Sequence, residues 1–189
     1  AKPIWAIAHA TMASAAYWVG SQADELIVTP SGEVGSIGVL AMHRDMSAAA
    51  TAEGVTVSYI SAGKYKTEGN PFAPLSDDAR AAMQARVDVY YGQFVSAVAR
   101  GRAVSLKAVR EGFGEGRVVG ADEALALGMV DRVEPMDQAL QRLSRRLARA
   151  SSSRASAVEP AAPVGGDSAP PDDLDRRRRR LRLAAVQGG

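Results

Sequence analysis

The chain contains no cysteine. That excludes a disulfide framework, a thiolate metal site and a cysteine nucleophile. Histidine occurs only twice, at His9 and His43. A metal centre needs a cluster of His and carboxylates at ligand spacing, and the sequence shows none. No apolar run approaches the roughly 20 residues that span a bilayer, and no signal peptide is visible. Aromatic residues are scarce, at 5%, yet 47% of the 189 residues are hydrophobic, enough for the core of one domain plus a tail. The chain opens at Ala1 directly into the apolar run "PIWAIA". That reads as the middle of a domain, with an N-terminal part missing.

The formal charge of +2 is unevenly spread. Residues 151–189 hold seven arginines (Arg154, Arg176 to Arg180, Arg182) and five acids. From totals of 23 and 21, this leaves 16 basic and 16 acidic side chains in residues 1–150. The folded part is neutral, so the basic pI says little about a site. The segment "SSSRASAVEPAAPVGGDSAPPDD" reads as disordered and "DRRRRRLRL" as a basic cluster. Such a run is usually a solvated tail; contact with nucleic acid or an acidic partner is the sharper alternative.

Within residues 1–150, strands are expected at "KPIWAIAH", "DELIVTP", "SIGVLAMH", "VTVSYISAG" and "MVDRVE". Val55, Val57 and Tyr59 supply the alternation of the fourth. "PSGEVG" reads as a turn. Helices are expected over 13–23, over "DMSAAATAEG", from a Ser76 cap to about residue 101, near 105–112, near 121–128 and over 136–149. In the long helix Met83, Val87, Tyr90, Tyr91, Phe94, Val95 and Val98 keep helical spacing. Strands alternating with helices imply an α/β domain with a largely parallel sheet.

Chemistry centres on "TMASAAYWVG". Ser14 opens a helix. Its oxygen can cap that helix, or it can be a nucleophile at a strand-to-helix junction, where free N–H groups steady an oxyanion. The two roles are compatible, and both are expected. A serine needs a base. One route is His43 with Asp45 or Asp24, although His43 ends its strand like an exposed polar cap, and His9, inside an apolar strand, reads as a core residue. The other route is a lysine of "AGKYKTEGNPF", Lys64 or Lys66. A lysine base must be neutral, so burial has to lower its pKa by roughly three units. A loop tucked between apolar "YIS" and "NPFAPL" would supply that desolvation. "GEVGSIG" lacks the Lys-Ser/Thr of a phosphate-binding loop, and its glycines precede a strand. No cofactor site is expected.

Four segments occur in order: "MASAAYW", "TPSGEVGSIGV", "GVTVSYISAGKYKTEGNPF" and "GRVVGADEALALGMVDRV". In this the chain resembles the signal peptide peptidase A (protease IV) family of serine peptidases over about residues 2–135. "GNPF" followed by "PLSDDAR" resembles its branch of phage and prophage head-maturation proteases (minor capsid protein C) more than the membrane-bound bacterial enzymes. The resemblance implies a ClpP/crotonase-like α/β fold and a Ser-Lys dyad. Ser14 matches the nucleophile, with Ala-Ala where the family often has Gly-Gly. Lys66 matches the general base, 52 residues on, and Ser36 the hydroxyl that orients its amine. The Ala15 N–H is then the natural oxyanion donor, with a second donor expected from a Gly-Gly loop upstream of this sequence. Lys64 matches no role.

The resemblance further implies a protein substrate, a homo-oligomer and a place in the prohead within the bacterial cytoplasm. Residues 1–150 would be the peptidase domain and 151–189 the tail. Three rival readings stand beside phage head maturation. One is a cellular signal-peptide peptidase. Another is a crotonase-type acyl-CoA enzyme, which shares the "GRVVGADEALALGMVDRV" cassette but has no role for Lys66 beside Ser14. The third is an inactive capsid-assembly module.

Overall fold

A computed structural model describes residues 2–156. The Arg-rich segment and the rest of the tail from residue 157 on lie outside the described residues. The chain divides into two compact units, one built from Ala1–Ile37 and Val95–Gly189, the other from Gly38–Phe94.

The first unit is α/β. Strand β1 (Trp5–Ala8) pairs in parallel with β3 (Glu25–Val28), and β3 pairs in parallel with β6 (Arg132–Val133). A second three-stranded sheet joins β2 (Thr11–Ala13), β4 (Glu33–Gly35) and β5 (Val118–Gly120). There β2 and β4 run parallel and β4 and β5 antiparallel. Every residue of β3 is buried, which explains its unbroken apolar run. Helix α1 (Ala15–Gly20) follows β2. After α4 (Leu106–Gly112), capped by the Ser105 hydroxyl, a 3-10 turn leads into β5. Helix α5 (Ala121–Ala126) carries Asp122 and Glu123 in its first turn, where the helix dipole favours them, and Gly128 follows its end at φ +77°. Helix α6 (Met136–Ser156) continues past the expected end at 149. Its Arg142 stacks 4.1 Å from the Trp5 ring and bridges Glu25 and Glu134. Burial works against the Arg142 charge, but the two carboxylates outweigh it and raise its pKa above the ordinary value.

The second unit holds α2 (Ser47–Ala52) and the start of α3 (Asp77–Arg102). Ser76 caps α3 as expected, its hydroxyl accepting the Ala79 N–H at 3.2 Å. The later part of α3, from Val95 on, belongs to the first unit, and there Val95, Ala97, Val98 and Ala99 are buried. Tyr90, expected on the apolar face, is exposed.

Three expectations about strands change. "SIGVLAMH" and "VTVSYISAG" are not strands, because neither has a ladder partner among the described residues. Val55, Val57, Tyr59 and Ile60 keep the alternating composition but are all exposed. Composition alone does not make a strand, since backbone groups need a paired neighbour. Conversely, "EVG" inside the expected turn is β4, paired on both sides.

A buried ion pair holds the first unit. Arg102, with its side chain 3% exposed, makes two bonds to Asp131 (2.9 and 3.0 Å) and donates to the Gly128 carbonyl. Asp131 also accepts the Leu26 N–H at 2.7 Å. Arg102→Ala would leave the Asp131 carboxylate without its counter-charge, so we expect a loss of about 3 kcal/mol in urea unfolding.

Candidate active site

Ser14 sits where β2 ends and α1 begins. Its backbone N–H donates to the Gly35 carbonyl at 2.8 Å, and its carbonyl accepts from Trp18. Ser14 occupies the N-cap position of α1 with φ 52° and ψ −125°, and its side chain makes no capping hydrogen bond. The expected double role is therefore corrected. A capping serine has extended backbone, and Ser14 does not. The residue is exposed and strained, since φ near +50° with that ψ costs a non-glycine residue on the order of 1–3 kcal/mol. Ala15 is the first helical residue and is also exposed.

Ser36 follows the neighbouring strand. Ala13 and Gly35 are partners in the parallel β2–β4 register, so the first unit brings Ser14 and Ser36 together at adjacent strand ends. The carboxyl ends of parallel strands are where open α/β sheets place their sites. Ser36 is half-buried, its N–H donates to the Arg117 carbonyl at 2.8 Å, and it too has positive φ, at 51°. Two strained serines side by side are unusual, because strain of this kind persists only where surrounding bonds impose it.

Sequence reasoning did not find what holds this corner. Tyr17, fully buried in α1, donates its hydroxyl to the Met129 carbonyl at 2.9 Å. The "ALGMVDRV" part of the cassette thus seats the helix that follows Ser14. A buried aromatic three residues after the serine was the available signal. Gly35 has φ +112°, and a Cβ there would lie 3.0 Å from the Arg117 carbonyl and 3.1 Å from the Met129 methyl.

Lys66 belongs to the second unit, on a loop of successive turns, with its N–H donating to the Gly63 carbonyl at 3.1 Å. Its side chain is exposed, and so are Tyr59, Ile60 and Phe72 beside it in sequence. The expected tucking of this loop does not occur. Its apolar flanks have no cover among the described residues. Lys64 is a surface residue, its Nζ 4.8 Å from the Tyr65 ring.

The histidines also differ from expectation. His9 is exposed rather than in the core, because β1 ends at Ala8. His43 is half-buried, and its Nε2 lies 2.9 Å from the Asn70 carbonyl. A carbonyl only accepts, so Nε2 carries the hydrogen and is committed to that bond. Asp45 accepts the Ser47 N–H at 2.9 Å. Hydrogen bonds from the Ser47 side chain and backbone, with a smaller contribution from His43, hold its carboxyl below the ordinary value. Asp24 lies in the first unit and accepts the Ile4 N–H. Among the described residues no group of three or more His, Asp or Glu is placed to hold a metal ion.

These features define an α/β domain with an exposed, strained serine at a strand-to-helix junction. Residues 1–150 match peptidase family S49, and the chain belongs to that family. It is 33% identical over 132 residues to the capsid assembly protease C of Escherichia phage lambda, a match covering 70% of this chain and 30% of the relative. It is 34% identical over 108 residues to the head-tail preconnector protein GP5 of Enterobacteria phage P21, covering 57% and 22%. It is 29% identical over 143 residues to a putative signal peptide peptidase SppA of Enterococcus faecium, covering 76% and 41%. The chain thus spans less than half the length of these curated relatives.

Gly35→Ala is expected to destabilise the protein by about 2 kcal/mol, because it adds strain at φ +112° and crowds the Arg117 carbonyl. Tyr17→Phe keeps the packed ring but leaves the buried Met129 carbonyl unpaired, and should cost about 1–3 kcal/mol. Thermal unfolding of both variants checks these values.

Proposed function

We propose that this protein is a serine endopeptidase with a Ser14–Lys66 dyad on a ClpP/crotonase-like fold. The observation that carries the reading is Ser14 itself. It is exposed, held in a strained backbone, free of any capping bond and adjacent to Ser36, in a chain of peptidase family S49.

Neutral Lys66 takes the proton of Ser14 as its oxygen attacks the substrate carbonyl. The tetrahedral oxyanion is met by the Ala15 N–H. Collapse expels the amine, which leaves with the proton from Lys66, and an acyl-enzyme on Ser14 remains. Water, deprotonated by the Lys66 side chain, attacks the acyl-enzyme and releases the acid, and Lys66 returns the proton to the Ser14 oxygen. Ser36 donates its hydroxyl hydrogen to the lysine nitrogen and so orients it. The reaction needs no metal or cofactor.

The similarity to the phage lambda and P21 proteins favours capsid or scaffold proteins as substrates during phage head maturation. In this reading the enzyme works as a homo-oligomer in the prohead, within the bacterial cytoplasm. The similarity to the Enterococcus faecium protein supports a second reading, degradation of signal peptides. No described helix is long and apolar enough to cross a membrane.

The full-length protein, co-expressed with a candidate scaffold or capsid protein, is expected to yield fragments of defined mass. Ser14→Ala and Lys66→Ala should each reduce cleavage by a factor on the order of 10³ or more. Ser36→Ala should reduce it by roughly tenfold to a hundredfold. Fragments from Ser14→Ala at the native rate would refute the dyad.

A further inference from the structure

We propose that His43 is a positioning residue, a latch that fixes the loop carrying Lys66. This rests on the dyad reading.

The loop over residues 63–72 is a run of turns. Lys66, Glu68 and Asn70 donate their N–H groups to the carbonyls of Gly63, Tyr65 and Thr67 at 3.1, 3.2 and 3.3 Å. These bonds are local, and none of them ties the loop to another segment. Asn70 gathers its far end. Its amide Nδ2 donates to the Thr67 carbonyl and its Oδ1 accepts the Phe72 N–H, both at 2.9 Å. Two bonds then tie that end to the segment before α2. His43 Nε2–H donates to the Asn70 carbonyl at 2.9 Å, and the Met46 N–H donates to the Pro71 carbonyl at 2.7 Å. His43 supplies the one side chain in this fastening.

The Lys66 side chain is long and exposed, so its placement depends on the backbone beneath it. A base must sit within hydrogen-bond reach of the proton it removes, and displacement by about 1 Å can cost about a hundredfold. Fixing Asn70, four residues after Lys66, therefore acts on turnover. His43 Nε2–H is committed to the Asn70 carbonyl, which makes the ring a fastening of the loop. Its part in catalysis is exerted through the loop.

Hydrolysis of p-nitrophenyl acetate by the full-length protein tests this, with active sites counted by the mass of acetylated Ser14. His43→Phe removes the donor and should lower kcat per active site by about tenfold to a hundredfold, with KM changed by less than about twofold. His43→Gln keeps an N–H donor of similar reach and should recover kcat to within about threefold of the native value. A histidine acting as the base would make His43→Gln as inactive as His43→Phe, and that result overturns the latch. So does a native kcat per active site in His43→Phe. If His43→Phe does not fold, His43→Ala takes its place, since Asn70→Ala would remove the two side-chain bonds that shape the loop end while keeping the carbonyl His43 holds. His43→Ala removes the donor with less bulk than Phe and should lower kcat by about tenfold to a hundredfold; native kcat in folded His43→Ala also overturns the proposal. Ser14→Ala and Lys66→Ala run alongside. If both are inactive while His43→Phe is native, the latch alone fails. If Lys66→Ala turns over normally, the dyad fails first.

Discussion

One backbone hydrogen bond organises the serine end of this protein. The Ser14 N–H meets the Gly35 carbonyl at 2.8 Å and extends the β2–β4 ladder one step past its last paired residues. That bond fixes where β2 stops and therefore where α1 starts. It draws Ser14 into a conformation that a serine avoids when free. The adjacent strand has the same problem, and there Gly35 at φ +112° is followed by Ser36 at φ 51°. The strain is tolerated because β4 is paired on both edges and Tyr17 anchors α1 to the Met129 carbonyl. A strained, over-determined serine is pre-organised, and such pre-organisation is what a nucleophile requires.

The two units treat their polar groups differently. Among the described residues, the first buries its charges in pairs. Arg102 meets Asp131, and Arg142 meets Glu25 and Glu134, so the charged residues of the "GMVDRV" region belong to the fold. The second unit has little apolar cover, and its loop is held by hydrogen bonds to Asn70 and Pro71 rather than by packing. This contrast explains why the two proposed members of the dyad carry different structural signatures. Ser14 is marked by strain in a packed frame. Lys66 is marked only by the loop that carries it.

Membership of peptidase family S49 narrows the chemistry without naming a substrate, since one fold supports many sites. The phage relatives and the bacterial relative share the matched region with this chain but extend well beyond it. What selects a substrate would therefore depend on groups around the proposed dyad rather than on the proposed dyad itself.

The sequence by itself determined the α/β class, the buried run of β3, the long helix opened at Ser76 and the cassette with its acidic helix start and Gly128. All of these follow from local propensity, periodicity or capping, which operate within one segment. The order of the motifs also pointed to the family and to Ser14. Tertiary structure alone decided the rest. "EVG" became a strand because it found partners on both sides, while the better-patterned "VTVSYISAG" found none. Ser14 does not cap its helix, because its φ and ψ are set by a neighbouring strand 21 residues away, at Gly35. His43 is a donor to Asn70 because the chain folds back across 27 residues. Pairing and burial are non-local, and a residue's neighbours along the chain carry no record of which distant backbone it will meet.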